Sequence, residues 1–175
     1  MTAIENLSGV LAEEAFPGEV VTRAIVRDVD LGAGSGLLAL ITLDNGHDHT
    51  KPSTFGPQGL LSLNAALDAV AARAAAGEIA AVGVTGKPFI LAAGADLDGA
   101  GAAITAPGID PAVARERAAG IGALGHAVFR RLGELPVPSF CFINGVALGG
   151  GLEVDRKSTR LNSSHRIASR MPSSA

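Results

Sequence analysis

Phe140-Cys-Phe-Ile-Asn-Gly-Val-Ala-Leu-Gly-Gly-Gly-Leu-Glu153 opens as an apolar, strand-like run, Phe140 to Ile143, and breaks at the turn pair Asn144-Gly145. Three consecutive glycines, Gly149 to Gly151, come next, and then a short apolar segment carrying one carboxylate, Glu153. A strand, a turn, a glycine cluster and a helix start together expose backbone N–H groups. Without Cβ atoms a ligand can lie against the main chain, and the first N–H groups of a helix have no intrahelical partner. Those donors, at the positive end of the helix dipole, suit a developing negative charge. A helix starting near Gly149 or Gly150 places Glu153 three residues past Gly150 on the same face. One short stretch then supplies both an anion hole and an acid or base.

The flanking composition fits a domain able to enclose such a site. The 175 residues are 47% hydrophobic, with six Phe and no Trp or Tyr, which fits one close-packed α/β domain. No uncharged apolar run of about 18 residues indicates a membrane span, and Met1-Thr-Ala-Ile-Glu-Asn lacks the basic-then-apolar pattern of a signal peptide. The single cysteine, Cys141, lies inside an apolar run without a partner. It is expected as a core residue in a reducing compartment, with the cytoplasm as the default.

Charge is unevenly spread. Residues 156–175 hold Arg156, Lys157, Arg160, Arg166 and Arg170, six serines and no acid, leaving nine basic against 17 acidic residues before them. An acidic body gives no support for nucleic-acid binding. The basic, Ser-rich stretch has no apolar period of its own. Residues 155–175 are therefore expected to be a non-family tail, disordered or arising from a frame change, read-through or assembly artefact.

Working back along the chain, residues 1–19 read as an N-terminal extension with a short helix around Leu7 to Ala15, ended by Pro17-Gly18. Val20 to Val26 and Leu37 to Leu43 read as strands. Gly32-Ala-Gly-Ser-Gly36 between them is a hairpin connection, because a dinucleotide-binding loop needs a helix immediately after it. His47-Asp-His49 lies in a polar loop with no third ligand nearby, and no metal site is expected. Ser53 or Thr54 is expected to cap a helix from Gly56 to Ala76, whose Leu60, Leu63, Leu67 and Val70 share one face, with Gly77 as its C′ residue. Ile79 to Val84 is continuous and apolar, as in a buried parallel strand.

The second informative stretch is Thr85-Gly-Lys-Pro-Phe-Ile-Leu-Ala-Ala-Gly-Ala-Asp-Leu97. Its lysine is followed by Pro88, so it is not a Walker loop. Ala93-Gly94-Ala95-Asp96 reads as a small-residue turn at a strand end, with Asp96 a candidate cap for the next segment. Residues 98–109 read as a loop. Asp110-Pro111 starts another helix, Asp as N-cap and Pro at N1, with Val113, Ile121, Leu124, Val128 and Leu132 as its apolar stripe and a stop near Gly133. His126 on this helix is expected to be a packed or surface residue.

The strand–AGAD–L motif, a helix, and then I-N-G-x-A-L-G-G-G-x-E resemble the enoyl-CoA hydratase/isomerase, or crotonase, superfamily, over about residues 20–154. The longer N-terminal segment and the Lys-Pro-Phe-Ile-Leu insertion look more like the hydratase-type domains of multifunctional fatty-acid oxidation proteins. The resemblance implies an α/β fold, a spiral of ββα units incomplete at its C-terminus, that assembles as homo-trimers or hexamers. It implies an acyl-CoA substrate with no further cofactor. The thioester carbonyl would be held by the N–H groups of Ala95 and Gly150, and Glu153 would match the first of two hydratase glutamates. Ala93, Gly94, Ala95, Asp96, Leu97 and Gly149 would contact the substrate.

The second glutamate would lie about twenty residues after the first, yet Asp155 to Ala175 contains none. The expectation is hydration of 2-enoyl-CoA, as in fatty-acid β-oxidation, by an intact parent, with this chain itself inactive or poorly folded. The alternatives are another crotonase reaction, namely isomerisation, thioester hydrolysis or decarboxylation, and a non-catalytic acyl-CoA-binding module.

Overall fold

The computed structural model describes residues 11–158. The chain winds through three successive units of two strands and helix. The first is β1 (Arg23–Asp30), β2 (Leu37–Asp44) and α1 (Pro57–Ala75). The second is β3 (Ala81–Gly86) and β4 (Phe89–Ala92) with α2 (Ala100–Thr105) and α3 (Pro111–Leu132). The third is β5 (Ser139–Phe142), β6 (Gly145–Ala147) and α4 (Gly150–Lys157). This is the ββα spiral that the sequence resemblance implies. The main sheet runs β1-β2-β3-β5, and a small second sheet pairs β4 with β6. The β1–β2 pair is an antiparallel hairpin, while β2–β3 and β3–β5 are parallel, since each of those connections carries a helix.

Hydrophobic periodicity explains where the layers meet. β2 and β3, central in the sheet, bury Leu38, Ala39, Ile41, Leu43, Val82 and Val84. The helices close over them with Leu63, Leu67 and Val70 of α1 and Leu124, Val128 and Leu132 of α3. At about 25 cal/mol per Å² of apolar surface this layer is the main stabilising term. Val113, expected in the α3 stripe, lies in the first turn beyond the packed part of the helix and is 38% exposed. Cys141 is half-buried in β5, and burial, with the Asp155 charge adding, pushes its thiol up to about 12.

Several local expectations need correction. The first strand starts at Arg23 rather than Val20, because its register is set by the hairpin pairing of Arg23 with Asp44 and Asp30 with Leu37. Of the N-terminal helix expected from Leu7, residues 7–10 lie outside the described residues, and Glu13–Ala15 forms one 3₁₀ turn. Neither Ser53 nor Thr54 caps α1, whose N-cap is Gly56 with Pro57 at the first helical position. Residues 53–55 are instead held extended: Ser53 O accepts the Ala93 N–H and Thr54 O accepts the Thr22 hydroxyl. The capping acceptor comes from a distance, as Glu19 takes the N–H groups of Gln58 and Gly59 at 3.1 and 2.9 Å. Burial raises the Glu19 carboxyl, and those two N–H bonds pull it partly back.

Gly77 does end α1 as its C′ residue: the Gly77 N–H reaches Ala74 O and the Glu78 N–H reaches Arg73 O. The 98–109 segment is not all loop, because Asp96 caps α2 within it, accepting from the Gly99 and Ala100 N–H groups at 3.0 Å each. Asp110 caps α3 as expected, its side chain accepting the Ala112 N–H at 2.7 Å.

Lys87, which lies in no phosphate loop, proves to be a buried clamp. Its Nζ donates to Asn45 Oδ1 and to the carbonyls of His47, Asp48 and Lys51. The His47-Asp-His49 loop is thereby ordered by a cation, with His49 edge-on to Phe89 at 5.8 Å. Among the described residues, no group of three or more His, Cys, Asp or Glu side chains is arranged to hold a metal ion, and no helix is long and apolar enough to cross a membrane.

These contacts can be tested by substitution. Lys87→Met should lower the unfolding free energy by about 1.5–3 kcal/mol, the range for hydrogen bonds from a charged donor, measured by urea titration; an unchanged midpoint would show that the clamp is idle. For Cys141, a folded-state thiol raised from 9.0 to about 12 keeps its stabilising effect below pH 9 and loses it as pH climbs toward 12. Unfolding free energy should therefore fall across that window, and Cys141→Ala should flatten the fall.

Candidate active site

Two turns meet at one end of the small sheet. The first leaves β4 at Ala92 and is stitched to the segment before α1. The Ala93 N–H donates to Ser53 O at 2.8 Å, Gly94 O accepts the Phe55 N–H at 2.7 Å, and the Asp96 N–H donates to Phe55 O at 3.1 Å. Phe55 and Ala95 thus form an isolated parallel bridge. The Ala95 N–H falls between those two bonds on the opposite edge, and among the described residues it has no hydrogen-bond partner. Ala95 is exposed.

The second turn leaves β6. The Leu148 N–H donates to Ala92 O at 3.0 Å, Gly149 takes φ +48, and α4 begins at Gly150. The helix starts where the triple glycine predicts. The Gly151, Leu152 and Glu153 N–H groups turn back to Leu148 O and Gly149 O. The Gly150 N–H, in the first turn, has no partner among the described residues.

Glycine allows the two turns to touch. Gly94 has φ +85, and a Cβ there would stand 3.2 Å from Leu148 O and 3.5 Å from the Gly150 nitrogen. A Cβ on Gly151 would stand 2.3 Å from Ala92 O, so α4 rests directly on the end of β4.

A cleft of about 270 Å³ opens above this contact, and Ala95, Gly150 and Glu153 all line it. Its apolar wall is Phe55, Leu60, Ile121 and Phe129, with the Phe55 and Phe129 rings edge-to-face at 5.1 Å. A second hollow, sharing Glu153 with the first, is lined by Gly149, Leu152, Glu153, Arg156 and Lys157 and contains neither Ala95 nor Gly150. Glu153 stands between the two, with its side chain 41% exposed.

The remaining sequence candidates do different things. Gly94 is buried within the turn, at φ +85. Ala93 has its N–H engaged by Ser53 O, and Asp96 is buried with its carboxylate capping α2; both shape the turn from beneath. Leu97 is 77% exposed and outside the cleft lining, and Gly149 lines the second hollow.

His126 is a surface residue as expected, yet it also lines the cleft, with Nδ1 3.7 Å from Glu153 Oε1. The signal for it is present in the sequence. Gly122, Gly125, His126 and Phe129 recur at helical spacing on one side of α3, and all four line the cleft. The two glycines hide this face from a search for apolar stripes.

A substitution tests whether the contact between the turns matters. Gly94→Ala should destabilise more than Gly46→Ala. Both glycines have positive φ, but a Cβ on Gly46 meets nothing within 4 Å. Each substitution adds about 1–2 kcal/mol of left-handed strain, and only Gly94→Ala adds a tight contact, 3.2 Å, with Leu148 O. Equal shifts in thermal midpoint would contradict the contact.

No protein-family model matches the chain, and a search of curated proteins finds no match. Solved structures do match. Pseudomonas aeruginosa DspI superimposes with a TM-score of 0.55 at 27% identity, over 77% of this chain and 47% of its own. An enoyl-CoA hydratase from Bacillus anthracis gives 0.58 at 21% identity, covering 76% and 45%. Human mitochondrial delta3-delta2-enoyl-CoA isomerase gives 0.56 at 22% identity, covering 78% and 45%. The chain thus spans less than half the length of each of these three structures. In its described residues it has the fold of the enoyl-CoA hydratase/isomerase, or crotonase, superfamily.

Proposed function

We propose that the cleft binds the thioester of an acyl-CoA and stabilises its enolate, and that the whole protein hydrates a 2-enoyl-CoA to a 3-hydroxyacyl-CoA. One observation carries this reading: two unpartnered backbone N–H groups, Ala95 and Gly150, line the same cleft as the Glu153 carboxylate. An enolate oxygen needs fixed donors, and removing one typically costs about 3–4 kcal/mol of transition-state stabilisation.

In hydration, water oxygen bonds to C3 and the C2–C3 π pair moves into the thioester, placing charge on its oxygen. Collapse of that enolate takes a proton at C2. In this reading the Glu153 carboxylate accepts the proton that water loses and delivers it to C2, so the proton count closes on one group. The apolar wall suits an acyl chain. A homo-trimer or hexamer, as the sequence resemblance implies, completes the proposal for the whole protein.

A second reading has its own support. Glu153 is the one carboxylate lining the cleft among the described residues, and moving a double bond from C3–C4 to C2–C3 needs a single base to shuttle a proton from C2 to C4. Product analysis on 2-enoyl and 3-enoyl substrates separates the two.

The decisive test uses the full chain and reads C2-proton exchange, which needs only the two donors and one carboxylate and not the second glutamate that hydration would require. Acetoacetyl-CoA should bind with the rise in near-ultraviolet absorbance of its enolate. Glu153→Gln should keep binding of butyryl-CoA but slow exchange of its C2 protons in D2O by about 10²–10⁴-fold. Gly150→Pro, which removes the N–H at the first helical position, should suppress the enolate band more than Gly150→Ala, which keeps the N–H while its Cβ meets the same Phe55 and Phe129 rings. Binding without exchange in the unaltered chain would favour a non-catalytic module, and neither binding nor exchange would overturn the proposal.

A further inference from the structure

Glu153 sits in the first turn of α4 with its side chain 41% exposed. Among the described residues, its one ion-pair contact is with His126, while Arg156 and Lys157 share the second hollow with it. A half-exposed glutamate samples several rotamers, and proton transfer at carbon demands that one oxygen be aimed. The cleft therefore needs something to hold the other oxygen.

His126 is placed to do so. It stands on α3, a helix anchored by Leu124, Val128 and Leu132, each at most 1% exposed, so its backbone is fixed. Its Nδ1 lies 3.7 Å from Glu153 Oε1, about 1 Å longer than a charge-assisted hydrogen bond of about 2.7–2.9 Å. Catalytic contacts are commonly long before ligand enters and tighten when it excludes water. Gly122 and Gly125, on the same stripe, keep the helix surface low beside the imidazole: a Cβ on Gly122 would meet nothing within 4 Å.

We infer that His126 is the positioning residue for Glu153, donating from Nδ1 to Oε1 so that the second carboxylate oxygen faces C2 of the bound thioester. This rests on the cleft being the thioester site proposed above. The reaction step stays with Glu153: the C2–H bond breaks, its proton goes to the carboxylate, and its electron pair moves into the thioester carbonyl beside Ala95 and Gly150. The reverse step returns a proton from the same oxygen.

The test is C2-proton exchange of butyryl-CoA in D2O, measured by NMR on the full chain. At a site this exposed, substitutions ordinarily leave stability almost unchanged, and thermal melts check that. His126→Leu should lower kcat for exchange about 10²-fold, the scale of a misaimed catalytic group, with KM unchanged. His126→Asn, whose Nδ2 occupies the place of the imidazole Nδ1, should recover most of the loss. A purely structural or binding role would instead raise KM or leave Asn no better than Leu, and either result overturns the assignment. If Glu153→Gln abolishes exchange while His126→Leu is silent, only the role of His126 fails. If Glu153→Gln is itself silent, or the unaltered chain shows no exchange, the reading of the cleft fails with it.

Discussion

The structure depends on a backbone-to-backbone contact between two turns that are far apart in sequence. Residues 93–96 and 148–151 approach so closely that a Cβ on Gly94 would press on Leu148 O and one on Gly151 would overlap Ala92 O. Each turn leaves its own ββα unit, so the contact exists only because β4 and β6 pair in parallel. Once they pair, the main chain just beyond each strand is brought to the same place. Two N–H groups that their own secondary structure cannot satisfy, Ala95 and Gly150, then line one cleft.

Less obvious groups hold that contact in place. Glu19 caps α1 from outside the helix, and Asp96 caps α2 from beneath the first turn. Lys87 gathers four oxygens of the 45–51 loop at the junction of β3 and β4, and the Asn144 amide donates across the same junction to Gly86 O and Lys87 O. None of these groups lines the cleft. They fix the ends of the strands and helices that do, as preorganised donors require: charge stabilisation by N–H groups is effective only when they need not reorient.

Much of this is legible in the sequence, for identifiable reasons. Leu60, Leu63 and Leu67 announce the buried face of α1 because apolar period is a local property. Asp110-Pro111 announces the start of α3 because capping is decided within four residues. Gly149 to Gly151 and Ala93 to Asp96 mark the two turns because close backbone approach leaves little choice of residue. The features that sequence reasoning misses are long-range. Glu19 caps a helix nearly forty residues away, whereas Ser53 and Thr54, nearer in sequence, are the caps that local spacing suggests. Three-residue β6 carries no periodic signal, and its existence depends on its partner β4. A lone histidine on a helix, such as His126, is usually a surface residue; what distinguishes this one is Glu153, on a different helix.

A crystal structure of the full chain with acetoacetyl-CoA bound tests the central claim most directly. The thioester oxygen should lie within about 2.7–3.1 Å of both the Ala95 and Gly150 nitrogens, with the Glu153 carboxylate beside C2. A thioester seated in the hollow beside Arg156 and Lys157, or bound with its oxygen away from those two nitrogens, would contradict that claim.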